Sequence, residues 1–342
     1  MRAKNQLFIL ISVGLLSVVL LMMPIAAATP YLLPTPTSRI PIATAAPPDI
    51  YPEGEAGTAI IHEAGWTRPI KLPFNDDGWE DSPYITRDGS QIIFFYHPYP
   101  DLITAAETLT EEILADPQSA VERGIDGKLY ISPRPFTERY IHPISQDDSP
   151  ALECCAYISQ SGDLFYNSTR RSFELGESAP VTVYLNGERL DFHTGDYEGN
   201  PHYCDALDEL WFDCPGDENL CIMRDAAAQD FQGEITLAPY PINAEPYEEI
   251  QDSQAFLTDD CMTLYITSDR AERGNIDIYR LERLDEEGQQ WSEPQLFISN
   301  ETPIAELSMT ADGRELIFAQ IFWRDDGSPG IDIYYSRKVE EE

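Results

Sequence analysis

The chain has 342 residues, with 60 acidic against 22 basic side chains and a formal net charge of −38 at neutral pH. A field of that sign repels nucleic acid and anionic membrane surfaces, so neither is an expected partner. It fits a soluble exported protein, or one that binds cations or basic partners.

Arg2 and Lys4 precede an apolar run from Leu7 to Met23, and Ala26-Ala27-Ala28 follows. A charged start, an apolar stretch and small residues predict a signal peptide over 1–28, cleaved after Ala28. An uncleaved anchor is the rival, because the run is near the lower limit for crossing a bilayer. Either way the rest is expected outside the cytoplasm, secreted or tethered by its N-terminus. No cysteine stands directly after the run, which argues against a lipid anchor. Residues 29–56 are rich in Pro, Thr and Ala (Pro30, Pro34, Pro36, Pro41, Pro47, Pro48). Such a stretch favours extended conformations and predicts a linker. The folded unit is expected over 57–338, with a short acidic tail at 339–342.

Within that unit one pattern recurs. An acidic residue leads into a strand, a polar turn follows, and a second apolar strand comes next. Glu80 to Phe95 and Glu306 to Phe318 are the clearest copies, with Asp88-Gly89 and Asp312-Gly313 as their turns. Each copy has a lead-in such as Trp66-Thr67-Arg68-Pro69 or Trp291-Ser292-Glu293-Pro294. Each ends on a strand such as Asp277-Ile278-Tyr279-Arg280 or Asp332-Ile333-Tyr334. A strand-built repeat of about 45–55 residues predicts an all-β, five-bladed β-propeller. The copies start near Trp66, Phe136, Gly187, Phe231 and Trp291. Residues 101–124 interrupt the first with Leu102, Ile103, Leu109, Ile113 and Leu114 among Ala and Glu, which predicts a short helical insertion.

The end of the fourth copy, Thr267-Ser268-Asp269-Arg270 through Asp277-Ile278-Tyr279, resembles the repeats of the TolB-type, WD-like propeller family. Asp88-Gly89, Ser161-Gly162, Asp312-Gly313 and Asp332-Ile333-Tyr334 carry the same resemblance. It implies a propeller over most of 66–338. Such propellers serve as binding modules, enzyme appendages and periplasmic scaffolds, so the resemblance implies no single activity.

Aligned on the turn, Glu80, Glu153, Glu198 and Asp252 share a column, which Glu306 joins with a one-residue shift. Equivalent positions of a propeller form a ring around its axis. Two readings stay open. Each acid can bind groups within its own blade. Alternatively the five can form a metal or substrate site at the channel mouth, where oxygen ligands suit calcium. Five-bladed glycosidases of the arabinanase and levansucrase type use carboxylates there. On that resemblance Glu80, Glu153 and Asp252 are the catalytic candidates, since glycoside hydrolysis needs an acid and a nucleophile or base. A Ser-His-Asp hydrolase is set aside, because no Gly-x-Ser-x-Gly elbow occurs. The first expectation is a non-catalytic binding or scaffold module, monomeric, without cofactor, engaging a protein or glycan at the cell envelope. The alternative is the carbohydrate-active enzyme.

The six cysteines are Cys154, Cys155, Cys204, Cys214, Cys221 and Cys261, an even count that predicts disulfides in an exported chain. Cys204 and Cys214 flank a strand-turn-strand and are expected to bridge it. Cys154 and Cys155 are expected on opposite faces of a strand, with different partners or with one of them a buried free thiol. His193, His202 and the cysteines near them lack the paired spacing of a zinc site.

Overall fold

The computed structural model describes residues 50–98, 127–146, 151–171, 181–190, 198–214, 219–246, 250–271, 275–285, 288 and 290–339. The signal segment, most of the linker, the helical insertion at 101–124 and His193 lie outside them. Two short strands come first, β1 (Ile60–Ile61) and β2 (Ile70–Lys71). Five antiparallel sheets follow. Blade 1 is β3 (Trp79–Ile85), β4 (Gln91–His97), β5 (Lys128–Pro133) and β6 (Tyr140–Ile141). Blade 2 is β7 (Glu153–Ile158), β8 (Leu164–Ser168), β9 (Thr182–Leu185) and β10 (Glu188–Arg189). Blade 3 is β11 (Gly199–Cys204), β12 (Glu209–Asp213), β13 (Leu220–Arg224) and β14 (Ile235–Leu237). Blade 4 holds β15 (Asp252–Leu257), β16 (Thr263–Ser268), β17 (Asp277–Glu282) and β18 (Gln295–Ser299). Blade 5 holds β19 (Ile304–Met309), β20 (Glu315–Trp323) and β21 (Pro329–Arg337). The inner strands β3, β7, β11, β15 and β19 pack each on the next, and β19 returns to β3. This is the five-bladed propeller expected from the repeat.

The repeat in sequence is one strand out of phase with the blade in space. Each lead-in belongs to the outer edge of the preceding blade. The residues after Trp66 form β2, which pairs with β21 (Ile70 opposite Tyr335) and completes blade 5. Gly187 sits in the turn between β9 and β10 at the edge of blade 2. The blades therefore begin at the acid-led strands, not at the lead-ins. This phase closes the ring, because the first and last parts of the domain share one sheet. β1 adds a fifth strand to blade 4 through β18 (Ile60 opposite Ser299). Lys71 Nζ donates to Asp332 at 2.8 Å, and Thr67 N–H donates to the Arg337 carbonyl.

Apolar side chains fill the seams between blades. Leu72, Phe74, Ile92, Phe94, Phe136, Ile317 and Ile333 form the seam between blades 5 and 1. Trp211, Ile222, Leu264, Leu281 and Trp291 form that between blades 3 and 4. Trp211 is thus core, whereas Trp323 is exposed. The polar turns follow one design. Thr86, Thr258 and Thr310 donate their hydroxyls to Asp88, Asp260 and Asp312 at 2.7–2.8 Å, and accept the N–H that restarts the chain. The left-handed position of this turn is Gly89 in blade 1 and Gly313 in blade 5. In blade 4 it is Cys261, at φ 59°.

Cysteine pairing differs from expectation. Cys204 pairs with Cys261 and Cys214 with Cys221. The register of β11 on β12 explains it. Cys204 lies opposite Glu209 at the turn end, while Cys214 follows Asp213 at the open end, opposite Gly199. The two cannot meet. Cys204 instead reaches into blade 4, where the buried Arg283–Glu209 pair (2.6 Å) also joins the two blades.

Candidate functional site: an axial pocket walled by five bulges

Each inner strand breaks its pairing at the same place. Two residues oppose one on the second strand: Ser82-Pro83 against Phe94, Cys155-Ala156 against Tyr166, Asn200-Pro201 against Phe212. Gln254-Ala255 and Glu306-Leu307 likewise oppose Ile266 and Phe318. These are β-bulges, and the first residue of each is left-handed. The φ angles are 51° at Ser82, 59° at Cys155, 47° at Asn200, 55° at Gln254 and 59° at Glu306. A non-glycine residue there costs about 1–2 kcal/mol. The bulge interrupts the alternation of side chains along the strand and re-aims one of them. Here five side chains come to line one axial pocket. The next layer of the pocket is Tyr84, Tyr157, His202, Phe256 and Ser308. The cavity is about 60 Å³, room for a few water molecules.

The aromatic layer is a plug. The Tyr157 and His202 rings lie 4.0 Å apart, His202 meets Phe256 edge-on, and Tyr84 meets Tyr157 likewise. Tyr84 and Tyr157 donate their hydroxyls to the carbonyls of Ile158 and Tyr203, each in the next blade. His202 Nε2 accepts the Leu257 N–H at 3.1 Å, so its proton is on Nδ1. Burial holds its pKa down to about 3, so the ring is neutral.

Each bulge must also satisfy its left-handed N–H. In three blades a polar side chain on the preceding blade's second strand does so. Asn167 accepts from Asn200 N–H (2.8 Å), Asp213 from Gln254 N–H (2.8 Å) and Thr267 from Glu306 N–H (3.2 Å). The equivalent residue facing blade 1 is Ala319, which has no acceptor. There Glu306 substitutes: its Oε2 accepts Ser82 N–H at 2.7 Å, and its Oε1 accepts from Ser82 Oγ and Gln254 Nε2. Asp81 lies within hydrogen-bonding reach of Glu306. Burial, then the Asp81 charge, hold the Glu306 carboxyl well above the usual range. Asp213 is also fully buried, and desolvation raises its pKa to about 7 against the hydrogen bonds from Asn200 and Gln254.

The acid column lies elsewhere. Glu80, Glu153, Glu198 and Asp252 stand two residues before the bulge residue and do not line the pocket. Glu306 does not belong to their column. It is the bulge residue itself, and Ile304 holds the column position of blade 5. Counted from the turn, Glu80 precedes Gly89 by nine positions and Glu306 precedes Gly313 by seven, so the offset is two residues and not one.

Three column acids face an arginine. Glu153 Oε1 accepts from Arg170 Nε at 2.7 Å and Asp252 Oδ1 from Arg270 Nη2 at 2.5 Å, each inside one blade. Arg139 is shared between Glu80 (2.8 Å) and Asp76 (2.5 Å). The two carboxyls divide their one cation unequally. Burial followed by the Asp76 charge pushes Glu80 up to about 8, while Asp76 is lowered by its hydrogen bonds to Gly78 and Arg139 against partial desolvation. Glu198 is fully buried, and its carbonyl accepts from Asn167 Nδ2 at 2.6 Å. Asn167 is thereby fully buried and committed to the fold. Among the described residues no three His, Cys, Asp or Glu side chains converge in a metal-holding group.

No protein-family model matches the chain, and no curated protein matches it in sequence. Solved structures of similar shape exist. A Dyadobacter fermentans protein of unknown function is 10% identical, with 81% of this chain and 100% of that one covered and a TM-score of 0.43. An endo-arabinase of Bacteroides thetaiotaomicron is 11% identical, with 79% and 98% covered and a TM-score of 0.43. A GH62 hydrolase solved with xylotriose is 10% identical, with 84% and 98% covered and a TM-score of 0.42. Likeness at this level transfers no activity.

Proposed function

We propose that this chain is a non-catalytic binding propeller of an oxidising, extracytoplasmic compartment, engaging a protein or glycan partner at the mouth of its axis. The observation that carries this reading is the fate of the column acids: Glu153 and Asp252 are each neutralised by an arginine of their own blade, and Glu80 shares Arg139 with Asp76. A glycosidase needs two free carboxyls about 5–10 Å apart across an open cleft. Among the described residues, a carboxyl pair at the pocket, Glu306 with Asp81, is within hydrogen-bonding reach and too close for that arrangement. The two disulfides fit an oxidising compartment.

The test is a hydrolysis screen over arabinan, xylan, fructan and sialylated glycans, with wild type beside Glu153→Gln. No turnover by either is expected. Turnover by wild type that Glu153→Gln abolishes while keeping its fold overturns the proposal in favour of the carbohydrate-active reading. For the metal reading, a calorimetric calcium titration is expected to give no heat. A stoichiometric signal lost in Glu306→Gln restores it.

A further inference from the structure

Cys154 and Cys155 are consecutive on β7, where a regular strand would hold them on opposite faces. The bulge changes this. Cys155 is its left-handed residue, so its Sγ turns to the side of Cys154, and the two sulfurs stand 2.6 Å apart. That is closer than non-bonded contact allows but longer than a bond of about 2.05 Å, so the two stand here as free thiols in close contact. Both residues are buried, and Cys155 lines the axial pocket with its Sγ 3.5 Å from Ser82 Oγ. The other four cysteines are already bridged. Blade 2 alone carries cysteine both at the bulge and immediately before it.

We infer that Cys154 and Cys155 form a third disulfide, within a single peptide unit, and that its Cys155 sulfur is part of the pocket wall. A thiol–disulfide oxidoreductase or a small-molecule disulfide is the oxidant. One cysteine thiolate attacks the oxidant's disulfide and expels one thiol. The second cysteine attacks the mixed disulfide and expels the other. Two S–H bonds are lost, one S–S bond forms, and the oxidant leaves as two thiols. Adjacent α-carbons are about 3.8 Å apart, below the usual 4.4–6.8 Å for bridged cysteines, so this bond is strained and more reducible than its companions. Oxidised, the pocket wall presents sulfur without a proton. Reduced, it presents a thiol beside Ser82. The pocket surface thus responds to the redox state of its surroundings, while the bridges between and within blades 3 and 4 persist.

The test uses the full chain isolated from an oxidising compartment, denatured without reductant, alkylated and cleaved with trypsin. The peptide from Tyr140 to Arg170 is expected unalkylated and lighter by two hydrogens than its dithiol form. Two alkyl groups on that peptide, or a link from it to another cysteine, overturn the inference. In glutathione buffers the pair is expected to open at a thiol-to-disulfide ratio at least about tenfold below that needed for Cys204–Cys261. Opening together with that bridge overturns the redox-responsive role.

Discussion

Glu306 gives the sharpest test of the axial ring, because it is both an acceptor for a strained backbone and a buried acid. Its folded pKa is raised, so between its unfolded value, near 4.5, and its folded value the native state holds more protons than the unfolded chain. By linkage this contribution falls as pH rises, by at most about 1.4 kcal/mol per pH unit. Between pH 5 and 8 the ceiling is about 4 kcal/mol. Glu306→Gln removes the titration and keeps an oxygen for Ser82 N–H. The new amide can donate to Asp81, and Gln254 can turn its own amide, whose Oε1 has no hydrogen-bond partner. The variant is therefore expected to match wild type near pH 5 and to exceed it at pH 8. Urea unfolding at pH 5, 6.5 and 8 measures the gap. A gap that is flat with pH, or a variant less stable at pH 8, refutes the reasoning.

Glu306→Ala removes the shorter of two hydrogen bonds from Ser82 N–H, leaving Asp81 Oδ1 at 2.9 Å, and is expected to cost about 0.5–1.5 kcal/mol at pH 5, with Ala319→Asn recovering part of it by copying Asn167 of blade 2. No recovery in denaturant midpoints rejects the ring rule. Arg170→Met leaves Glu153 buried without its cation and should cost about 3–5 kcal/mol, most of it regained with Glu153→Gln in the same chain; additive losses in the double variant count against the pair. Replacing Cys204 and Cys261 by Ser opens a loop with a separation of 57 residues. The chain-entropy ceiling for that loss is about 4 kcal/mol, against about 2 for Cys214–Cys221, and thermal melts that rank the two bridges the other way contradict it. Glu80 and Asp213, raised to about 8 and about 7, share the sign of Glu306. The stability supplied by all three is greatest at mildly acidic pH and declines toward pH 8. Glu80→Gln and Asp213→Asn should each flatten the pH profile seen by melting.

Much of the fold was legible because a blade is built locally. Asp88-Gly89 and Asp312-Gly313 mark turns, and Ile317-Phe318 and Leu210-Trp211-Phe212 mark strands, through φ preference and side-chain packing that act over a few residues. The site was less legible. Ser82, Asn200 and Gln254 look like ordinary polar strand residues, and nothing in their identity announces a left-handed φ, which glycine would have signalled. Only the sequence Cys154-Cys155 hinted at an anomaly, and strand alternation gave it the wrong geometry.

Short-range chemistry alone made legible the five hairpin-rich repeats, the acidic composition and the acid that heads four of the five inner strands. Tertiary structure decided the phase of the blades, because β2 pairs with β21 across the whole domain. It decided which side chains meet the axis, because one extra residue per inner strand shifts everything after it. It also gave three of the column acids their arginines, and gave Glu306 the place that Ala319 left open.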